Sequence, residues 1–339
     1  MILPRIIIVS PASARDNNGN WQTASRWAHF LRSRHAVEVC EQWPADSGDK
    51  DAPDLLVALH ARRSAASLAA FTSAFPGRPT ILVLTGTDLY RDIDTSNEAR
   101  ASLERASALV VLQEAGLARL PPSLRAKACV IHQSAPMLAP ASETRDTEAA
   151  RHLDICMIGH LRPEKDPLTF MRSAALVTDP RVRLLHIGGA LDPALEAAAR
   201  ATAAANSRYQ WLGALPHPEA RARLAACHAM AIASRMEGGA NVIIEAVTSG
   251  VPVLASNIDG NRGMLGADYG GYFPPGDAAA LALLIDRCAA DSAFNALLRS
   301  QCAARAPLFA PAAEQASLVD LVDNLLDKLL PRQPRRQPL

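Results

Sequence analysis

Residues 237–245 read EGGANVIIE, so two carboxylates, Glu237 and Glu245, bracket Gly238, Gly239, Ala240, Asn241 and a short apolar run. Upstream, the segment GHLRPEKDP at 159–167 supplies two cations, Arg162 and Lys165. Cations suit phosphate oxygens. Two carboxylates beside a phosphate site would repel its ligand unless they accept hydrogen bonds from neutral donors, and sugar hydroxyls are such donors. The combination describes a nucleoside diphosphate joined to a sugar: Glu245 would take the ribose hydroxyls, Glu237 those of the second sugar, and the cations the diphosphate between them. Taken alone, a Glu-x7-Glu spacing recurs by chance, and Arg162 and Lys165 read equally well as a solvated loop. What joins the two segments is their order on strand-to-helix turns of one domain.

Those turns follow from the flanking residues. AMAIAS at 229–234 has the composition of a buried strand, while Gly250 in TSGVP stops a helix and Pro252 enters the next strand. The quoted stretch is therefore a strand-to-helix turn, in which Gly238 and Gly239 let the backbone approach a ligand closely. A helix beginning near Ala240 would point unpaired amides at that ligand and attract a phosphate.

The same alternation runs through the whole chain. Strands are predicted at 5–10, 36–40, 54–60, 80–85, 108–112 and 128–132, and again at 153–158, 183–187, 209–212, 230–233 and 252–255, with amphipathic stretches between them. Trp21, Ala24, Trp27 and Leu31 share one face of the first helix, and a helix is expected from about Pro167 to Val177. This is an α/β pattern of two Rossmann-like domains with parallel sheets, whose ligands lie at the carboxyl ends of the strands; a cleft between the domains is the expected shared site. The expected boundaries are 1–136 for the first domain, 137–151 for a linker, 152–310 for the second domain, 311–330 for a last helix and 331–339 for a disordered tail. Leu318, Leu321, Val322, Leu325 and Leu329 form the apolar stripe by which that last helix would dock.

Composition narrows the class. With 339 residues, 35 Lys and Arg against 34 Asp and Glu, and a formal net charge of +1, the chain has no basic excess that would point to nucleic acid or an acidic membrane surface. The opening RIIIVS is too short for a signal-peptide core or a membrane span, so a cytoplasmic protein is expected. Six scattered cysteines without a CxxC pair fit reduced, buried thiols. Asp92-Ile93-Asp94 matches an Asp-x-Asp metal motif, but it follows a helix-start signal instead of a nucleotide-binding strand. No strand leads into GxGxxG, which argues against a dinucleotide oxidoreductase.

EGGANVIIEAVTSGVPVLAS (237–256) together with GHLRPEKDP resembles the second domain of the large retaining nucleotide-sugar glycosyltransferase family with the GT-B architecture, and the likeness covers essentially the full chain. The resemblance implies that Glu237 contacts the donor sugar, Glu245 the ribose, and Lys165 the diphosphate. The arginine that usually follows the glycine is replaced by His160, leaving Arg162, two residues on, to reach inward. It further implies that the glycine-rich loop NNGN (17–20) reaches the donor through Gly19, with Asn18 and Asn20 on the acceptor side. TGTD (85–88) resembles the acceptor-side segment, with Thr85 and Asp88. More narrowly, SPASARDNNGNWQTASRW, TGTDLYRD, GHLRPEKDP and SNIDGNRGMLG are similar to the selenosugar synthases of the selenoneine pathway. That likeness implies selenophosphate as acceptor, UDP-N-acetylglucosamine or UDP-glucose as donor, a 1-selenosugar as product and no metal cofactor. An anionic acceptor would want cations, for which Arg15, Arg26, His60 and Arg91 lie near the right strand ends. A GT-B enzyme using a sugar, lipid or small metabolite as acceptor is the alternative.

Overall fold

A computed structural model describes residues 3–12, 19–44, 52–138 and 152–328. Arg15, Asn18, most of the expected linker and the expected tail lie outside the described residues. The chain divides into two compact units, Met1–His132 with Ala312–Leu339, and Gln133–Pro311. The last helix, Pro311–Asp327, is thus almost entirely part of the first unit.

In the first unit, strands β1 (Arg5–Val9), β2 (Ala36–Cys40), β3 (Leu55–Leu59), β4 (Thr80–Leu84), β5 (Ala108–Val111) and β6 (Ala128–Val130) form a sheet in the order β2-β1-β3-β4-β5-β6. Every pairing in it is parallel. Continuous apolar runs such as RIIIV and LLVAL suit strands covered on both faces. The period of two divides them: Ile6 and Ile8 join Leu55, Val57 and Leu59 in one core, whereas Ile7 and Val9 join Leu56 and Ala58 in the other. The first of these cores also receives Trp27 and Leu31 from the helix Gly19–Leu31, and Leu318, Val322 and Leu325 from the last helix. A polar tie anchors the same contact. Glu314, 1% exposed, accepts bonds from Arg26 Nε at 2.7 Å, Arg26 NH2 at 3.0 Å and Trp27 Nε1 at 2.7 Å. Arg26 is therefore occupied in holding the last helix, a role its position near a strand end did not suggest.

The second unit carries β7 (Leu153–Ile158), β8 (Val182–Ile187), β9 (Tyr209–Gly213), β10 (Ala229–Ile232), β11 (Val253–Ser256) and β12 (Tyr272–Phe273), ordered β12-β11-β10-β7-β8-β9, again all parallel. The helix expected to reach Val177 runs only from Pro167 to Ser173, where Ser173 Oγ donates to the Phe170 carbonyl at 2.8 Å and the chain passes into turns. Winding direction reverses between β7 and β10. In such sheets the crevice outside the carboxyl ends of the two strands at the reversal receives ligands. The loop after β7 carries Arg162 and Lys165, and the turn after β10 carries Glu237.

Candidate functional site

The loop after β7 is held by backbone. Gly159 N–H donates to the Ile187 carbonyl at 2.8 Å, and His186 Nε2 lies 3.3 Å from the Gly159 carbonyl. Only glycine fits at 188, since a Cβ there would stand 2.0 Å from the Gly159 oxygen. His186 is fully buried, and desolvation pushes its pKa down to about 4, so it serves as a neutral hydrogen-bonding strut. His160 Nδ1 accepts the Gly189 N–H at 3.0 Å. Partial desolvation, then the charges of Arg162 and Lys165, lower the His160 pKa, and the ring is neutral with its proton on Nε2. Arg162 follows in extended conformation and is exposed.

A short 3-10 turn, Pro163–Lys165, then delivers Lys165 to Glu237, with Nζ 2.5 Å from Oε1. The two side chains are 15% and 9% exposed. The lysine stem lies against Gly159, whose Cβ would be 3.6 Å from Lys165 Cγ. Glu237 is fixed from the other side by Gly260, at the start of the helix Asp259–Leu265, where a Cβ would come within 2.1 Å of the Glu237 carbonyl oxygen.

Beyond Gly238 and Gly239 the helix Asn241–Thr248 begins, with Ala240 as its N-cap. An alanine offers no side-chain acceptor to the first amides, so they remain available to a ligand. Ile243, Ile244, Ala246 and Val247 bury the helix against the core of the unit. Glu245, on another face, meets His217, the first residue of the helix His217–Ala226, with Nε2 2.8 Å from Oε1. This hydrogen bond raises the His217 pKa despite opposing desolvation. Arg221, from the same helix, donates to Thr248 Oγ1 at 3.2 Å and to the Pro136 carbonyl. From sequence, each glutamate is expected to have hydroxyl partners only. In the structure each also has a cationic or protonatable partner, because a mostly buried carboxylate requires compensation before any ligand arrives.

Residues 143–307 match the family model described as glycosyl transferases group 1. The matched stretch falls within the second unit. Solved structures extend the likeness over the rest of the chain. Alr3699/HepE of Anabaena, in complex with UDP and glucose, is 18% identical with a TM-score of 0.73, covering 95% of this chain and 100% of that one. The sucrose-phosphate synthase of Thermosynechococcus elongatus is 17% identical with a TM-score of 0.78, covering 96% and 100%. The chain has the two-domain α/β fold of GT-B glycosyltransferases. Within the second unit, Lys165, Glu237, Gly238, Gly239 and Ala240 come together at the sheet reversal, while Glu245 lies one to two turns into the helix beside His217.

The residues expected on the acceptor side belong to the first unit. Gly19 and Asn20 open its first helix, where Thr23 Oγ1 donates to the Gly19 carbonyl at 2.8 Å. His60 directly follows β3 with φ 74°, a left-handed conformation that a non-glycine residue adopts at a cost. It is buried, with Nε2 3.1 Å from Thr87 Oγ1 and 3.8 Å from Asp92 Oδ2. Thr85 lies at the end of β4, and its N–H donates to Asp88 at 2.9 Å. Asp88 is fully buried and also accepts from Ala61 N–H at 2.9 Å and Gly86 N–H at 2.8 Å. Its carboxylate ties the two loops together. Asp92 and Asp94 take different partners: Arg62 and Arg91 close on Asp92 at 2.8 and 3.2 Å, and Arg119 on Asp94 at 2.7 Å. Arg62, which no motif marks, lines an open polar groove of about 510 Å³ with Arg91, Asp92, Thr95 and Ser96.

Proposed function

We propose that this chain is a UDP-sugar-dependent glycosyltransferase whose acceptor is selenophosphate. The observation that carries the donor half is the placement of Lys165, Glu237 and an uncapped helix start on the two loops flanking the sheet reversal. Solved Alr3699/HepE structures hold UDP and glucose, UDP, or UDP-glucose, which supports UDP as the nucleotide. In this reading the diphosphate takes the place of Glu237 on Lys165 and caps the amides after Ala240, and Arg162 and His160 Nε2–H add donors at the edge. Glu237, released from the lysine, accepts sugar hydroxyls, and Glu245 accepts those of the ribose. Departure of UDP leaves charge on the β-phosphate, which the lysine and helix amides stabilise most strongly in the transition state. The chain's own cations then do the work without a resident metal.

The acceptor half rests on the likeness to selenosugar synthases and on the first unit's chemistry. Arg62 and Arg91, both held on the buried Asp92, present guanidinium groups along one polar groove and suit phosphoryl oxygens. His60 and Thr85 stand at the adjoining strand ends. Selenium attacks the anomeric carbon as the bond to the UDP oxygen breaks, and subsequent attack of water on phosphorus releases phosphate and the 1-selenosugar. A selenolate-like nucleophile needs little general-base assistance. Incubation with UDP-N-acetylglucosamine or UDP-glucose, with and without selenophosphate, followed by mass analysis, tests this. UDP release that depends on selenophosphate and yields a selenium-bearing sugar supports the reading. Equal turnover with a sugar, lipid or thiol acceptor in its place would give the acceptor role to that compound.

A further inference from the structure

Apart from His60, the other non-glycine residue described with positive φ is Asp166, at 44°, directly after Lys165. Aspartate tolerates this region better than most residues, yet glycine would adopt it with less strain. The carboxylate has a use that a glycine could not supply. Asp166 is 5% exposed, accepts Thr169 Oγ1 at 3.0 Å, and holds Arg235 Nε and NH2 each at 3.1 Å on the same oxygen. Arg235 also donates its backbone N–H to the Glu164 carbonyl at 2.9 Å.

The pairs are crossed. Neighbours 165 and 166 bond to residues 237 and 235, lysine to glutamate and aspartate to arginine, so the loop after β7 and the turn after β10 are laced together twice by opposite charges. When a diphosphate draws Lys165 from Glu237, one lacing is lost. We propose that Asp166 and Arg235 are positioning residues: their ion pair keeps the two loops in register while the Lys165–Glu237 pair opens, so that Lys165 stays aimed at the diphosphate. Arg235 is 65% exposed in this pair, and its contribution passes through Asp166. This inference rests on the donor reading above.

The test measures UDP and uridine binding by calorimetry for the unaltered protein, D166G, R235A, R235K and D166G/R235A, with thermal unfolding as a control. D166G relieves the left-handed strain while deleting the carboxylate, which separates backbone from charge. The expected result is that D166G and R235A each weaken UDP by about tenfold, the worth of a charge-assisted contact. The double variant is no weaker than either single one, R235K recovers part of the loss, and uridine binds all variants equally. Retained UDP affinity in D166G with loss in R235A would show a direct arginine–phosphate contact and overturn the inference. Additive losses, or equal losses for uridine, would do the same. Failure of the unaltered protein to bind UDP at all would remove the donor reading itself, and the brace with it.

Discussion

Replacing Lys165 by Met strips the cation from Glu237 and leaves a carboxylate whose side chain is 9% exposed, on a residue whose backbone carbonyl packs against Gly260. Breaking a buried ion pair from one side costs about 3–5 kcal/mol, because the surviving charge has lost both its partner and its water. The lysine side is 15% exposed and the pair sits at a loop edge, so we expect the lower end, about 3 kcal/mol. Glu237→Gln should cost less, about 1–2 kcal/mol, since a freed ammonium on a flexible stem can turn to solvent. With both charges gone, the Lys165→Met/Glu237→Gln protein should return to within about 1 kcal/mol of the unaltered one. Native-state hydrogen exchange of amides in β7 and β10 reads this locally, free of the first unit's stability. Losses below about 0.5 kcal/mol for Lys165→Met, or additive losses in the double variant, would refute the assignment of this contact as a desolvated pair.

Further outcomes follow from the same geometry. The raised pKa of His217 means that below it a charged imidazole holds Glu245, and above it the ring is neutral and the carboxylate a better acceptor. Uridine affinity should therefore rise as pH climbs through a midpoint above 6.5, and the rise should vanish in His217→Asn; uridine is the ligand to use because it has no phosphate to titrate. By linkage, the His217–Glu245 contact stabilises the fold fully below the unfolded-state value and fades as pH passes the raised one. Glu245→Ala should raise the donor KM by about tenfold with a smaller change in kcat, as expected when ground-state and transition-state binding weaken together; an unchanged KM would remove the ribose role. Turnover should survive a chelator such as EDTA, and loss of activity restored by a divalent cation would show that a metal assists the diphosphate.

Much of this was legible in the sequence because it depends on local rules. The continuous apolar strands and the Gly-Gly turn before NVIIE announce parallel sheets and an open helix start without reference to distant residues. Most strand limits shifted by only a residue or two, within the usual fraying of strand and helix ends. The pairings were not legible. His217 reaches Glu245, and Arg26 reaches Glu314, over separations that only the fold sets, and a histidine or arginine at such a position carries no periodic signal. Asp88 is a further case: TGTD is plain in the sequence, but the three backbone amides that its buried carboxylate accepts are set by the fold. The contact of Gly260 with the Glu237 carbonyl is readable only in three dimensions, although a glycine at a helix start is itself a hint of close approach.

Soaking crystals of the protein with UDP puts the central claim at most direct risk. Density for the diphosphate is expected at the start of the helix Asn241–Thr248, with Lys165 Nζ drawn from its 2.5 Å contact with Glu237 to the phosphate oxygens and the ribose hydroxyls on Glu245. A nucleotide bound away from the β7 and β10 loops, with Lys165 still locked on Glu237, would contradict it.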